Sequence, residues 1–134
     1  FHQQELDNTI LTYLQIWTGS PKLQPWVDLI DSYKNPHDEV DIAFIGKYVA
    51  HRDSYESLNE ALLHGGIANR LKVNLHYVDS ELLTEKNVLS QLEKMDGVLV
   101  APGFGERGTE GKIAAIKIAR TKNIPFFGIC LGMQ

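Results

Sequence analysis

The chain has 134 residues, 43% of them apolar and 22% charged, with a formal net charge of −4. That length allows one domain with a real core and excludes two full-sized ones. The composition is that of a globular chain. An acidic balance without a Lys/Arg block excludes a dedicated nucleic-acid surface, and no apolar run approaches the roughly 20 residues of a bilayer span.

Leu6, Ile10, Leu11 and Leu14 recur at helical spacing and predict an amphipathic helix over residues 3–17, ended by Thr18-Gly19-Ser20-Pro21. Pro25 suits a first turn and opens a second helix to about residue 33, with Trp26, Leu29 and Ile30 as its apolar side. Asn35-Pro36-His37-Asp38-Glu39 is a polar break and the expected domain boundary. Residues 40–45 form an apolar run ending at Gly46, as a strand buried on both faces would. A helix is expected over 54–69, then a strand over 72–78 whose apolar/polar alternation suits a sheet edge. Val88, Leu89 and Leu92 suggest a short helix, 97–101 a third strand, 109–121 a helix and 124–129 a fourth strand. Strands alternating with helices predict parallel β-α-β units, hence an α/β fold of a parallel sheet layered between helices. The chain opens at Phe1 inside its first predicted helix and stops at Gln134, where another should begin, so it is expected to be an internal piece of a longer polypeptide.

Cys130 follows the last predicted strand directly, between Gly128 and Gly132. This is the cysteine form of the Gly-x-nucleophile-x-Gly elbow. A sharp strand-to-helix turn leaves no room for side chains two residues either side. It also sets the thiol near backbone amides, with the Leu131 N–H next to a developing oxyanion. The plainer reading is a buried structural cysteine beside ordinary turn glycines. Glycine at both flanking positions has a chance probability of about 0.5%, and the carboxyl end of a strand is where α/β folds place their sites; both favour the nucleophile. As the one cysteine it excludes an internal disulfide and fits a reducing, cytoplasmic setting. Acyl transfer at a thiol also needs a histidine base and a group to orient it. None of His2, His37, His51, His64 and His76 lies in a segment that points to the elbow, and no base is assigned.

Gly103-Phe104-Gly105-Glu106-Arg107-Gly108 matches a dinucleotide-binding fingerprint and sits between a predicted strand and helix. The ribose-binding acid that should end the next strand is missing, because Gly128, Ile129 and Cys130 stand there. The better reading places this loop across a cleft from Cys130, where amides near Gly103 complete an oxyanion hole with Leu131; a plain connection is the other. Gly46-Lys47 lacks the remainder of a P-loop.

Val40-Asp41-Ile42-Ala43-Phe44-Ile45-Gly46-Lys47-Tyr48-Val49, Asp53-Ser54-Tyr55 with Ser57, residues 102–113 and Ile124-Pro125-Phe126-Phe127-Gly128-Ile129-Cys130-Leu131-Gly132-Met133-Gln134 together resemble, in register, the glutaminase domain of the CTP synthase family. Gly-Ile-Cys-Leu-Gly by itself resembles class I glutamine amidotransferases in general; Gly-Lys-Tyr and Arg-Gly-Thr-Glu-Gly-Lys narrow it. The resemblance covers the whole chain. It implies a three-layer, flavodoxin-like parallel sheet, with residues 1–36 as the tail of a synthase domain and linker and 37–134 as the first half of the glutaminase domain. Its implied activity is hydrolysis of glutamine through a γ-glutamyl thioester. The ammonia then passes to a synthase domain of the same polypeptide, where ATP with Mg activates UTP for amination to CTP. By position Cys130 takes the nucleophile role, Gly103 and Leu131 the oxyanion-hole amides, and Gly103, Leu131, Gly132, Met133 and Gln134 the glutamine contacts. Lys47, Phe104, Arg107 and Glu110 fall where the family responds to its activator GTP. The family's histidine and glutamate partners lie beyond Gln134, as do the elbow helix and later strands that cover one side of the sheet, so residues 1–134 alone are expected to be inactive and, with apolar surface exposed, poorly soluble. The family also implies a homo-oligomer, a tetramer, and no metal in this segment.

One position departs from the family pattern. The usual Pro-Gly-Gly-Phe-Gly reads Ala101-Pro102-Gly103-Phe104-Gly105, so proline removes one N–H and stiffens the loop. Pro102 keeps alive a second reading, a regulatory module of the same fold that binds glutamine or a nucleotide without turnover. A third, a cysteine-elbow fold with redox or deglycase-like activity, would need an acid from an early strand near the thiol, and Asp41 begins its strand at the wrong end.

Overall fold

The structure, a computed structural model, describes residues 2–19, 21–49 and 52–134; Phe1, Ser20, Ala50 and His51, and the side chains of His2 and Arg52, lie outside the described residues. Helix α1 spans Leu6–Tyr13 and α2 Gln24–Lys34. Strand β1 (Asp38–Gly46) is followed by α3 (Glu56–Asn69), β2 (Leu71–Asp79), α4 (Val88–Leu92), β3 (Gly97–Val100), α5 (Thr109–Lys122) and β4 (Phe126–Gly128).

The four strands form one parallel sheet in the order β2-β1-β3-β4. Side chains on a strand alternate between faces, and the core divides accordingly. Ala43, Ile45, Val98 and Val100 face Leu83, Val88 and Leu92 with Ala114, Ala115 and Ala119 of α5. Phe44, Leu99 and Ala101 face Tyr55 with Leu58 and Leu62 of α3. Tyr55 meets Phe44 edge-on, with ring centroids 5.0 Å apart. Phe44, Ile45, Val88, Leu92 and Val100 are fully buried, each stabilising the fold by about 1.5–3 kcal/mol relative to exposure. β2 takes the edge its alternation predicts, and the central strands β1 and β3 carry the continuous apolar runs.

The first helix is shorter than its periodicity predicts. Glu5 and Gln15 both adopt left-handed backbone conformations (φ 55° each), which confine α1 to Leu6–Tyr13 behind a 3-10 turn at His2–Gln4. None of its residues is buried. β4 is likewise confined to Phe126–Gly128. Pro125 has no N–H to give the sheet, but its carbonyl accepts from Val98.

Candidate active site

The parallel strands bring four loops to one end of the sheet. Hydrogen bonds from the Ser80 amide to the Gly46 carbonyl, Ala101 to Ile45 and Ile129 to Val100 stitch the strand ends into a common rim. Cys130 lies just past β4 on that rim, and the glycine loop is the first segment past β3, its immediate neighbour. Both segments therefore lie at the carboxyl ends of the strands, where α/β folds place their sites.

Cys130 is half-buried and its φ is 57°. A left-handed conformation in a non-glycine residue costs about 1–3 kcal/mol and persists only where its surroundings enforce it. The other non-glycine residues with positive φ flank helices, whereas Cys130 alone among the described residues takes it at the end of a strand. The flanking glycines enforce the turn. A β-carbon on Gly128 would overlap the Gly132 carbonyl, and one on Gly132 would come within 2.6 Å of the Val100 carbonyl oxygen and 2.7 Å of its Cγ1. A 3-10 turn, Cys130–Gly132, occupies the place where the helix of the elbow is expected to start. The Met133 and Gln134 amides donate to the Cys130 carbonyl. Leu131 is half-buried, Gly132 buried, and Met133 and Gln134 exposed at the rim.

The glycine loop is held from beneath by two lysines. Lys47, directly after β1 and 8% exposed, donates from Nζ to the carbonyls of Phe104 (2.6 Å) and Gly105 (3.1 Å). Lys112, in the first turn of α5 and 2% exposed, donates to Ala101 (3.0 Å) and Gly103 (3.3 Å). Burial pushes the Lys112 ammonium below the ordinary lysine range; the nearby Lys47 charge adds to this and Cys130 opposes it. Gly103 has φ 145°, a conformation open to glycine and strained for any other residue.

Of the residues assigned to effector binding, Phe104 and Arg107 are exposed, Arg107 reaching Glu81 at 3.6 Å. Glu110 is exposed as well, whereas Lys47 is turned inward under the loop. Lys112 is missed by the sequence reading as a site residue. The signal was available: Gly111, Lys112, Ala114, Ala115 and Ala119 form the buried stripe of α5, with a lysine where an apolar side chain belongs.

The described histidines stand away from this rim. His37 meets Arg70 at 3.2 Å just before β1 and β2 begin, and His76, past the middle of β2, donates from Nε2 to Asp41 Oδ1 at 2.6 Å in the amino-terminal half of β1. His64 lies exposed on α3, 3.7 Å from Glu60. Asp41 is five positions before the end of β1, far from the thiol along the strand, and its amide is tied to Asp96. Among the described residues there is no His/Cys/Asp/Glu cluster suited to a metal, and no helix is long and apolar enough to cross a membrane.

A family profile described as glutamine amidotransferase class-I matches residues 50–134. The CTP synthase of Trichlorobacter lovleyi is 55% identical over 99% of this chain, and that of Syntrophus aciditrophicus 52% over 100%, each match covering 25% of the relative. The chain thus spans about a quarter of the length of these curated relatives. A solved structure of the Trypanosoma brucei CTPS glutaminase domain with bound acivicin superimposes with a TM-score of 0.61 at 43% identity, covering 71% of this chain and 38% of that one.

Proposed function

The chain belongs to the class I glutamine amidotransferase family, and on that premise we propose that it is the nucleophile-bearing part of a CTP synthase glutaminase. The observation that carries this reading is the conformation of Cys130, held at φ 57° between two glycines that have no room for a side chain, beside the loop of Gly103. The thiolate attacks the γ-carboxamide carbon of glutamine, and the carbonyl oxygen becomes an oxyanion within reach of the Gly103 and Leu131 amides. Collapse with protonation of the nitrogen releases ammonia and leaves a γ-glutamyl thioester, which water hydrolyses to glutamate. The ammonia aminates UTP in an ATP- and Mg-dependent synthase domain of the same, oligomeric polypeptide. The base and its orienting carboxylate come from outside these residues; His37, His64 and His76 are engaged elsewhere. Met133 and Gln134 line the glutamine subsite, and Phe104, Arg107 and Glu110 with Lys47 form the GTP-responsive surface.

The test is covalent. In the full polypeptide, diazo-oxo-norleucine labels Cys130, and Cys130→Ala abolishes glutamine-dependent CTP formation while leaving ammonia-dependent formation intact. Loss of both activities together would refute this division of labour. Residues 1–134 by themselves are inactive on this reading, and turnover by them alone would misplace the base.

Pro102 favours a second reading, in which the cleft binds glutamine or a nucleotide without hydrolysing it. Saturable glutamine binding with no labelling of Cys130 would select it.

A further inference from the structure

We propose that Lys112 is a positioning residue for the chemistry at Cys130: its buried ammonium binds the Ala101 and Gly103 carbonyls and fixes the loop beside the thiol in one shape. This rests on the glutaminase reading above for its functional consequence, but the clamp itself is a property of the fold.

Side chains on a helix lean back toward its N-terminus. From the first turn of α5 this carries the Lys112 amine to the carboxyl end of β3, where it meets the Ala101 and Gly103 carbonyls. Lys47 meets Phe104 and Gly105 from the end of β1. Four carbonyls within five consecutive residues are therefore turned onto two ammonium groups. A carbonyl shares its peptide plane with the N–H of the next residue, so the Lys112 bonds fix the Ala101–Pro102 and Gly103–Phe104 planes and hold the Pro102–Gly103 peptide, which carries the Gly103 N–H, between two fixed neighbours.

The placement of Lys112 is unfavourable on three counts. Its charge is buried, a second cation lies close by, and a cation in the first turn opposes the helix dipole. Among the described residues neither lysine has a carboxylate partner. Methionine would fill the same space without these costs. What methionine lacks is the charge-assisted hold on the two carbonyls. The charged and titratable groups around the Lys112 amine are Lys47 from the end of β1 and Cys130 from the turn after β4, acting in opposite senses. Its proton is held less firmly than that of an ordinary lysine, so alkaline pH releases the clamp before it would release an arginine.

The experiment compares Lys112→Met and Lys112→Arg with the wild type in the full polypeptide, reading amide hydrogen exchange over residues 101–107 and glutamine hydrolysis against pH. For Lys112→Met, loop exchange should rise and kcat fall by about tenfold or more, with KM for glutamine within about twofold. Lys112→Arg should restore both and carry the alkaline limb of the pH profile to higher pH. Unchanged loop exchange or unchanged kcat in Lys112→Met would overturn the inference, as would an arginine variant as impaired as the methionine one. Should Lys112→Met not fold, Lys112→Gln, which keeps a donor without the charge, serves the same comparison. A wild type whose Cys130 resists diazo-oxo-norleucine would sink the glutaminase reading, while the exchange data would still decide the clamp.

Discussion

The carbonyl oxygen of Gly132 stands where a β-carbon on Gly128 would have to be, so the two glycines that bracket Cys130 are each other's steric neighbours. Gly132 in turn lies against the Val100 carbonyl of β3. The obstacles are backbone atoms, which cannot swing aside as a side chain can. Gly132→Ala should therefore cost about 1–3 kcal/mol in overpacking and displace the thiol. A displacement near 1 Å is worth about 100-fold in rate. Denaturant unfolding and the rate of Cys130 labelling by diazo-oxo-norleucine measure the two effects; a variant labelled at the wild-type rate would show that the turn does not set the reactivity.

Gly103 and Pro102 should respond differently. Gly103→Ala forces a side chain onto φ 145° and distorts the peptide whose amide serves the oxyanion, a donor of the kind worth about 100-fold or more in kcat. Pro102→Gly adds an N–H at the neighbouring residue and leaves Gly103 itself unchanged. Its effect on glutamine turnover should stay within about threefold, because one loop amide suffices. A gain near 100-fold would mean instead that proline has disabled the site.

Lys47 separates two roles. Its amine bonds the Phe104 and Gly105 carbonyls beneath the loop, so Lys47→Met should lower glutamine turnover by about tenfold whether or not GTP is present. A loss confined to assays with GTP would make it a direct effector contact.

Much of the fold was readable because its pattern is local. The apolar runs of β1 and β3, the alternation in β2 and the glycine punctuation around Cys130 each carry their meaning within ten residues. The first helix is shorter than its periodicity predicts because Glu5 and Gln15 leave helical space without being glycine, asparagine or proline, so nothing in their identity marks the break. The elbow was legible down to its steric cause. The lysine clamp was not, since the meeting of Lys112 with Ala101 and Gly103 is a tertiary fact of how α5 crosses the end of β3. A lysine in an apolar stripe flags an anomaly, but the stripe alone does not say what the amine reaches.

The β1–β2 pair offers a test that leaves the thiol alone. The hydrogen bond from His76 is the largest influence on the Asp41 carboxyl and holds it below the ordinary carboxylate range. A group whose pKa is lowered on folding stabilises the fold above its unfolded pKa, about 3.9 for aspartate, and that contribution disappears as pH falls through the folded value. Glu39, lowered by Asn74 and then by Lys72, acts in the same direction on the same strands. Wild type should therefore exceed Asp41→Asn in thermal stability at pH 7, and the gap should close below about pH 4. Both side chains are well exposed, so the gap should be small and should shrink with added salt. Melting curves of the two proteins at pH 7, 5 and 3, at low and high ionic strength, measure it. A gap that widens on acidification would show that Asp41 acts through its shape and not through its charge.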